Sequence, residues 1–225
     1  MIDLLHSGSP LWLTLKVAGL ATLSALAAGV GAAYILKRRR FPGRDVVDAV
    51  CTLPLVMPPT VLGYYLLVLI GRRGIVGRWL EESFGLTLMF TWQGAAIAAA
   101  VVAFPLVFKS ARAALESVGS QYEDAARTLG MGEWGVFLRV SMPLAFRGVL
   151  AGGMLAFARA MGEFGATLMV AGNLPGRTQT LSLAVYSAVQ AGNDRLANML
   201  VLTVSVICVV ILVGTSRLLQ PKFQV

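Results

Sequence analysis

Arg159 and Glu163 are the two charged side chains in an otherwise apolar stretch from residue 148 to residue 170. They are four positions apart, so on a helix they share one face and can form an ion pair. Charges inside a membrane are costly and usually face the bundle interior or an aqueous path. Two roles stay open. Either the pair fixes the rotation of its helix, or Arg159 contributes positive potential to an anion route while Glu163 keeps the anion from binding too tightly.

Other groups that could do chemistry are sparse. Cys51 and Cys208 each lie in an apolar run and are interpreted as packing residues, and His6 is the single histidine. An intramembrane enzyme needs a nucleophile with a base, or paired carboxylates, and the apolar stretches do not supply them. The chain also has no phosphate-binding GxxxxGK[ST] motif. We therefore expect no catalytic residue, no metal site and no ATP hydrolysis by this chain.

The composition indicates an integral membrane protein. Of the 225 residues, 57% are hydrophobic and 13% are charged, and the mean hydropathy is +0.75. Soluble domains are less apolar and more charged. The excess of Lys and Arg, 19 against 11 acidic residues, could suggest nucleic acid, but in a membrane chain it encodes orientation. We expect membrane lipid and no nucleic acid as a partner.

Five stretches are long enough to cross a bilayer core, which takes about 20 helical residues. Four carry no charge, and the fifth contains the Arg159 and Glu163 pair. They cover residues 17–36, 49–70, 84–108, 148–170 and 196–216.

The basic residues predict the orientation of these spans. A cluster from Lys37 to Arg44 follows the first span and marks the cytoplasmic side. Alternating from there, twelve basic residues fall inside and five outside. The sequence predicts an all-α polytopic protein with about five spans, N-terminus outside and C-terminus inside. Residues 71–83 form an outer loop with Trp79 as an interfacial anchor, and residues 180–190 form a short outer or re-entrant helix.

Three prolines disturb the second span. Pro54, Pro58 and Pro59 lie within six residues, and each removes a backbone donor and clashes with the preceding turn, so we expect a kink or break at mid-depth. Such a break survives in lipid when it is packed in protein or lines a wet cavity. The span is either a bent packing helix or part of a pathway, with Thr60 and Tyr64 on one face.

Residues 123–146 are polar and broken by glycine, and they lie on the predicted cytoplasmic side. Ala125 and Ala126 favour a slim helix, Gly130 suits its C-terminal end, and Pro143 suits the first turn of the next span. The residues alone leave two interpretations. The segment docks into a groove of another protein, or it lies on the membrane surface.

A spaced pattern in this segment resembles a known family. It reads DAA from Asp124, three residues, Gly130, nine residues and then VSMP. This is similar to the EAA loop of type I ABC importer permeases, Glu-Ala-Ala, three residues, Gly, nine residues and Ile-x-Leu-Pro. Asp124 stands at the Glu position, with Glu123 before it, while Val140 and Met142 replace Ile and Leu.

The resemblance implies a type I ABC importer fold, with one transmembrane domain over residues 1–225 and the EAA loop at about 121–143. In that family the loop is the coupling helix, which sits in a cleft of the ATP-hydrolysing subunit. The residues implied in coupling are Glu123, Asp124, Ala125, Ala126, Gly130 and Pro143.

Longer stretches resemble the molybdate permease subunits of this superfamily. They are LPLVMPPTVLGYYLL (53–67), GRRGIVG (71–77), AARTLG (125–130) and LAFARAMGEFGAT (155–167). Together they favour molybdate or tungstate, while sulfate, thiosulfate or another oxyanion stays open. A secondary transporter typically carries inverted repeats, and none is found here.

The resemblance also implies partners. These are a second copy of the chain, a dimer of ATPase subunits that binds ATP and Mg²⁺, and a periplasmic or lipoprotein binding protein, at the inner membrane of a bacterium or archaeon. This chain itself binds no cofactor. The expected path or gate residues are Pro58, Pro59, Thr60, Tyr64, Arg159, Glu163 and Thr167. Hydroxyl lining with few bare cations is expected because tight charge pairing would trap the cargo.

Overall fold

The computed structural model describes residues 9–38 and 42–219, in which helices and no strands occur. This confirms the all-α prediction. His6, Arg39, Arg40 and Lys222 lie outside the described residues. The helices in chain order are α1 (Pro10–Arg38), α2 (Arg44–Val56), α3 (Pro59–Ile70), α4 (Ile75–Phe84), α5 (Trp92–Glu116), α6 (Ser120–Thr128), α7 (Glu133–Val136), a π turn (Phe137–Ser141), α8 (Met142–Met161), α9 (Gly165–Ala171), α10 (Leu181–Gln190) and α11 (Asp194–Leu219).

Four of the described helices are long and apolar enough to cross a membrane, and a bent pair supplies a fifth if it counts as one span. The four are Pro10–Arg38, Trp92–Glu116, Glu133–Met161 and Asp194–Gly214. The bent pair is α2 with α3. The prediction of about five spans is therefore confirmed.

Helices α1, α5 and α8 form the core, and their buried surfaces are rich in alanine. Helices α1 and α5 run parallel, because Lys16 lies over the Trp92 ring near their starts, 3.6 Å from its centroid. Helix α8 runs the other way, since Phe137, just before it, packs on Tyr34 near the end of α1 with ring centroids 4.3 Å apart. We call the two ends of this bundle the Lys37 end and the Trp92 end.

The third span differs from its predicted position. It was expected at residues 84–108, but α5 covers Trp92–Glu116, and Phe84 ends the separate helix α4. The side chain of Thr91 accepts a hydrogen bond from the Gly94 N–H at 3.1 Å and so fixes the start of α5. Its other end extends past the apolar stretch because Asp48 of α2 accepts hydrogen bonds from Lys109 and Arg112.

The fourth span also differs. It was expected at residues 148–170, but the helix runs continuously over Glu133–Met161 and breaks before α9. Pro143 lies in the first turn of α8, but α8 continues the helix that begins at Glu133, so Pro143 does not mark the start of the span as predicted. The π turn before it continues the helix toward α7, and the Met142 N–H donates to the Phe137 carbonyl, five residues back. Such a widened turn relieves the backbone upstream of a proline, which lacks a donor of its own.

Helix α10 confirms the short apolar helix predicted at residues 180–190. It has 10 residues, too few to span. The Leu181 N–H donates to Thr14 Oγ1 at 2.8 Å, near the start of α1. Helix α10 therefore packs at the Trp92 end of the bundle, the end where α1 begins.

Candidate functional site

Helix α6 and the turn after it form the centre of the predicted coupling segment. Gly130 has a φ of +80°, a conformation that glycine adopts without strain. The Met131 N–H donates to the Ala126 carbonyl at 3.1 Å, and the Gly130 N–H donates to the Arg127 carbonyl at 2.9 Å. These two bonds make a Schellman end. The predicted helix end at Gly130 is confirmed.

Glu123 joins α6 to two other elements at the Lys37 end. Lys37 Nζ of α1 donates to Glu123 Oε1 at 2.6 Å, and Ser141 Oγ of the π turn donates to the same oxygen at 2.7 Å. Arg127 lies 3.7 Å from the other carboxylate oxygen. Burial raises the pKa of the Glu123 carboxyl, but these hydrogen bonds and positive charges outweigh it, so the pKa lies below its ordinary value.

Asp124 has a different environment from Glu123. Its side chain is 64% exposed, against 12% for Glu123. Arg127 donates to Asp124 at 2.7 Å and to Glu133 at 3.1 Å, so its guanidinium links α6 to α7. Glu123 is occupied within its own chain. Asp124, which stands at the acidic position of the EAA pattern, remains accessible to another protein.

The coupling segment has an inner and an outer face. Ala126, Val136 and Phe137 are buried against the rest of the chain, whereas Ala125 is exposed. Trp134 lies beside Tyr34 with ring centroids 6.1 Å apart, yet it is 71% exposed. The outer face therefore carries large apolar side chains that the described chain leaves uncovered. They are Tyr122, Leu129, Trp134 and Leu138.

Truncation of the two acids should separate their roles. We expect Glu123→Ala to lower the free energy of unfolding by about 2 kcal/mol, because two hydrogen bonds to a charged, mostly buried group are lost. Asp124→Ala should change it by less than about 0.5 kcal/mol, since exposed ion pairs contribute little. Thermal unfolding of the purified chain in detergent measures both. Equal losses from the two variants would contradict the assignment of Glu123 as the internal anchor.

The second predicted span is broken as expected. The chain bends by 114° between α2 and α3. The break falls at Met57 and Pro58, while Pro54 lies inside α2. Pro59 occupies the first turn of α3, where its missing N–H leaves no gap in the helical hydrogen bonds.

The predicted Arg159 and Glu163 pair is present. One Arg159 nitrogen lies 2.8 Å from Glu163 Oε2, and the Glu163 side chain is only 1% exposed. The expected single helix is wrong, however, because α8 ends at Met161 and Glu163 lies in the break. Glu163 Oε1 accepts a hydrogen bond from the Ala166 N–H at 2.9 Å. The carboxylate therefore binds Arg159 with one oxygen and caps α9 with the other.

The two breaks meet inside the bundle. A Cβ added at Gly165, the first residue of α9, would lie 3.0 Å from Pro59 Cβ. Glycine thus permits the start of α9 to rest on the start of α3. The structure brings together the two predicted groups of path residues, which are separated by about a hundred positions in the sequence.

Exposure distinguishes the predicted hydroxyl residues. Thr60 and Tyr64 are exposed along α3, with Tyr64 56% exposed. Thr167 is 1% exposed. In the single chain Thr60 and Tyr64 therefore face outward from the bundle, whereas Thr167 is packed within it and reaches no open surface.

Sequence reasoning missed several polar contacts. It did not pair Lys37 or Ser141 with Glu123, and it did not anticipate that Asp48 binds α5. Lys37 and Glu123 are 86 positions apart, so no local spacing could reveal their pairing. A weak signal existed for Asp48, because an acid near the start of an apolar span is unusual and usually has a partner.

Comparison with known proteins places the chain in a family. It matches the binding-protein-dependent transport system inner membrane component over residues 25–223. It is 45% identical to the molybdenum transport system permease protein ModB of Escherichia coli strain K12 over 204 residues, which cover 90% of this chain and 89% of that protein. Identity to ModB of Haemophilus influenzae is 47% over 178 residues, covering 79% and 78%. The sulfate transport system permease protein CysT of Escherichia coli strain K12 is 38% identical over 177 residues, covering 79% and 64%.

Solved structures share the fold. The MetNI methionine ABC transporter in inward facing conformations gives a TM-score of 0.71 at 16% identity over 93% of both chains. A bacterial alginate ABC transporter, in complex with an alginate pentasaccharide-bound periplasmic protein, gives 0.67 at 17% identity, covering 90% of this chain and 74% of that one. With its helical bundle, its broken second span and its EAA-like segment, the chain belongs to the family of binding-protein-dependent transport system inner membrane components, which are transport subunits and not enzymes.

Proposed function

We propose that the chain is the permease subunit of an ATP-driven importer for molybdate or tungstate. It acts as one transmembrane domain in a homodimer, with a dimer of ATPase subunits on its cytoplasmic side and a periplasmic or lipoprotein binding protein outside. The membrane is the cytoplasmic (inner) membrane of a bacterium or archaeon. The two ModB relatives, matched over most of their length, support the substrate.

One observation carries the coupling part of this proposal. The segment with the EAA-like pattern is continuous with a span, because α7, the π turn and α8 form a single helix over Glu133–Met161. Glu123 also ties α6 to Lys37 at the end of α1. A displacement imposed on α6 by an ATPase subunit would therefore move α1 and α8 together.

A movement of α8 would also affect the two helix breaks in the bundle. Helix α8 ends at the Arg159 and Glu163 pair, next to the break between α2 and α3. Rocking of α8 would change how the two breaks pack, and would expose a cavity at the dimer axis to the outside, a rigid-body form of alternating access. ATP and Mg²⁺ bind at the ATPase partner, and this chain binds no cofactor.

Both helices carry hydroxyl groups near these breaks. On α3 they are the exposed Thr60 and Tyr64, and on α9 it is the buried Thr167. An oxyanion can pass hydroxyl groups without being held as tightly as by bare cations. Pro58 and Pro59 keep the backbone of the break open. We propose Pro58, Pro59, Thr60 and Tyr64 as the lining of the path or gate, which Thr167 would join when the breaks repack, with selectivity set by the binding protein.

Uptake by the whole importer tests the substrate. We expect proteoliposomes containing the chain, its ATPase and its binding protein to take up labelled molybdate only when ATP is present. Excess unlabelled tungstate should compete for uptake, and sulfate at the same concentration should not. Uptake that does not depend on ATP would favour a secondary transporter.

Sulfate or thiosulfate is the second candidate, because CysT is also a relative. The same competition separates the two. If sulfate displaces labelled molybdate as well as tungstate does, the importer belongs to the sulfate type. The assay requires the complete complex, since the binding protein presents the anion.

A further inference from the structure

One exposed row of side chains on α3 runs from the break to the Trp92 end. Thr60, Tyr64 and Val68 are spaced by four residues, so they share one face of the helix. Tyr64 is 56% and Val68 52% exposed. The next position at this spacing is Arg72, just past the end of α3, whose side chain is 73% exposed. The row is neutral along the helix and ends in a cation.

A cleft of about 630 Å³ lies at the outer end of this row. Val68 and Arg72 line it together with Arg73, Thr87 and Phe90. The lining is largely apolar, and it includes two arginines and one threonine, residue types whose side chains are donors suited to an oxyanion.

The charge in this cleft is positive. The nearest acid to Arg72 is Glu81 of α4, whose Oε1 lies 3.9 Å from Arg72 Nε, beyond hydrogen-bond distance. Within residues 42–219 no carboxylate forms an ion pair with Arg73. The positive charges of Arg72 and Arg73 are therefore only partly balanced, by the single carboxylate of Glu81.

The backbone around the cleft is tightly built. A Cβ on Gly74 would overlap the carbonyl oxygens of Val68 and Leu69, and a Cβ on Gly77 would overlap that of Gly71. Glycine at these positions lets α4 fold back onto the end of α3, so the turn that carries both arginines is held in place.

Phe90 on the other wall has a φ of 58°. This conformation is uncommon for a residue with a side chain, and strained backbone of this kind occurs often at functional sites. Its N–H donates to the Val170 carbonyl of α9 at 3.1 Å. The cleft is therefore connected to the short helix that follows the second break.

We propose that the cleft between the end of α3 and residues 87–90, with Arg72 and Arg73 in its lining, receives a tetrahedral oxyanion at the mouth of the path. This inference rests on the proposed function and adds a receiving site to it. Two arginines at the mouth raise the local concentration of a dianion. Farther in, the row is neutral and Glu163 balances Arg159, so the anion is attracted without being trapped.

Neutralising the arginines tests the proposal in the whole importer. We expect the Arg72→Gln, Arg73→Gln double variant to take up molybdate about ten-fold more slowly at low salt. The difference should shrink as ionic strength rises from about 0.01 M to about 1 M, because screening shortens from about 30 Å to about 3 Å. The double lysine variant, which keeps both charges, should retain most of the uptake rate.

Arg78→Gln is the matched control, because it removes an exposed charge on α4 that does not line the cleft. Its uptake should equal that of the wild type. An unchanged rate for the double glutamine variant at low salt, while the wild type transports molybdate normally, would overturn the receiving site and leave the proposed function intact. A wild type that takes up no molybdate would instead overturn the proposed function.

Two further experiments test whether Arg72 and Arg73 bind something other than the transported anion. If a saturating concentration of binding protein restores the double variant to the wild-type rate, the arginines dock that protein. If the defect appears in vesicles with anionic phospholipid and disappears in pure phosphatidylcholine, they bind lipid headgroups. Either result overturns the proposal, and a defect that persists in both tests supports it.

Discussion

Replacing Ala125 by tryptophan is expected to abolish ATP-driven molybdate uptake while leaving the chain folded in the membrane. Ala125 is exposed on α6, in the segment whose outer face the described chain leaves uncovered. A large side chain there would prevent a slim helix from entering a cleft on the ATPase subunit. We expect uptake to fall at least a hundred-fold, to background, and stimulation of ATP hydrolysis by loaded binding protein to disappear.

Ala125→Ser is the control at the same position, because it adds a single hydroxyl group and should keep most of the uptake. The amount of each variant in the membrane and its thermal midpoint should match the wild type. Ala126 is unsuitable for this test because it is 6% exposed and packs against its own chain. Wild-type uptake by the tryptophan variant would show that α6 does not dock where we propose.

Removing Arg159 alone is expected to damage the protein more than removing both charges of the pair. Arg159→Ala leaves the Glu163 carboxylate, 1% exposed, without its counter-ion, and breaking a buried pair costs about 3 kcal/mol or more. The variant should be depleted from the membrane and unfold at a lower temperature. Size-exclusion profiles in detergent and thermal midpoints measure both effects.

The informative partner is Glu163→Gln and not Glu163→Ala. Glutamine removes the charge but keeps a side-chain oxygen that can accept the Ala166 N–H, so the start of α9 remains capped. We expect the Arg159→Ala, Glu163→Gln double variant to recover most of the lost stability. A double variant as unstable as Arg159→Ala would mean that the ion pair is not what holds this break together.

Hydropathy was sufficient to predict the number of spans but not all of their ends. The third span was placed at residue 84, although α5 begins at Trp92. Residues 75–84 form an amphipathic helix of their own, and its apolar side chains merge with the span in any averaged profile. The true start depends on one side-chain hydrogen bond from Gly94 to Thr91, a contact that composition does not reveal.

The break before α9 illustrates a different limit. Residues 148–170 are apolar apart from two charges, and no proline marks the point where the helix ends. Glu163 stabilises the break through bonds to Arg159 and Ala166, and the packing of Gly165 on Pro59 depends on a second span. Pairing of the two charges follows from their spacing. The break depends on tertiary contacts.

The helix of the predicted coupling segment was identified from its pattern, but its orientation was not. Alanines at 125 and 126 indicated a slim helix without indicating which one faces outward. That choice follows from Glu123, whose bonds to Lys37 and Ser141 turn Ala126 inward and leave Asp124 and Ala125 outside. Lys37 lies at the end of α1, so the orientation could not be predicted from the segment alone.

The π turn at Phe137–Ser141 sets the angular phase between α7 and α8. Each residue of an α-helix turns the chain by about 100° around the helix axis. A π turn contains about one residue more than an α-helical turn. Without that extra residue, α7 and the segment before it would be rotated by about this angle relative to α8. Ser141 could not then reach Glu123 while α8 kept its packing in the core. If α6 transmits movement as we propose, the direction in which α8 turns is therefore set by the one extra residue of this π turn, which lies just before Pro143.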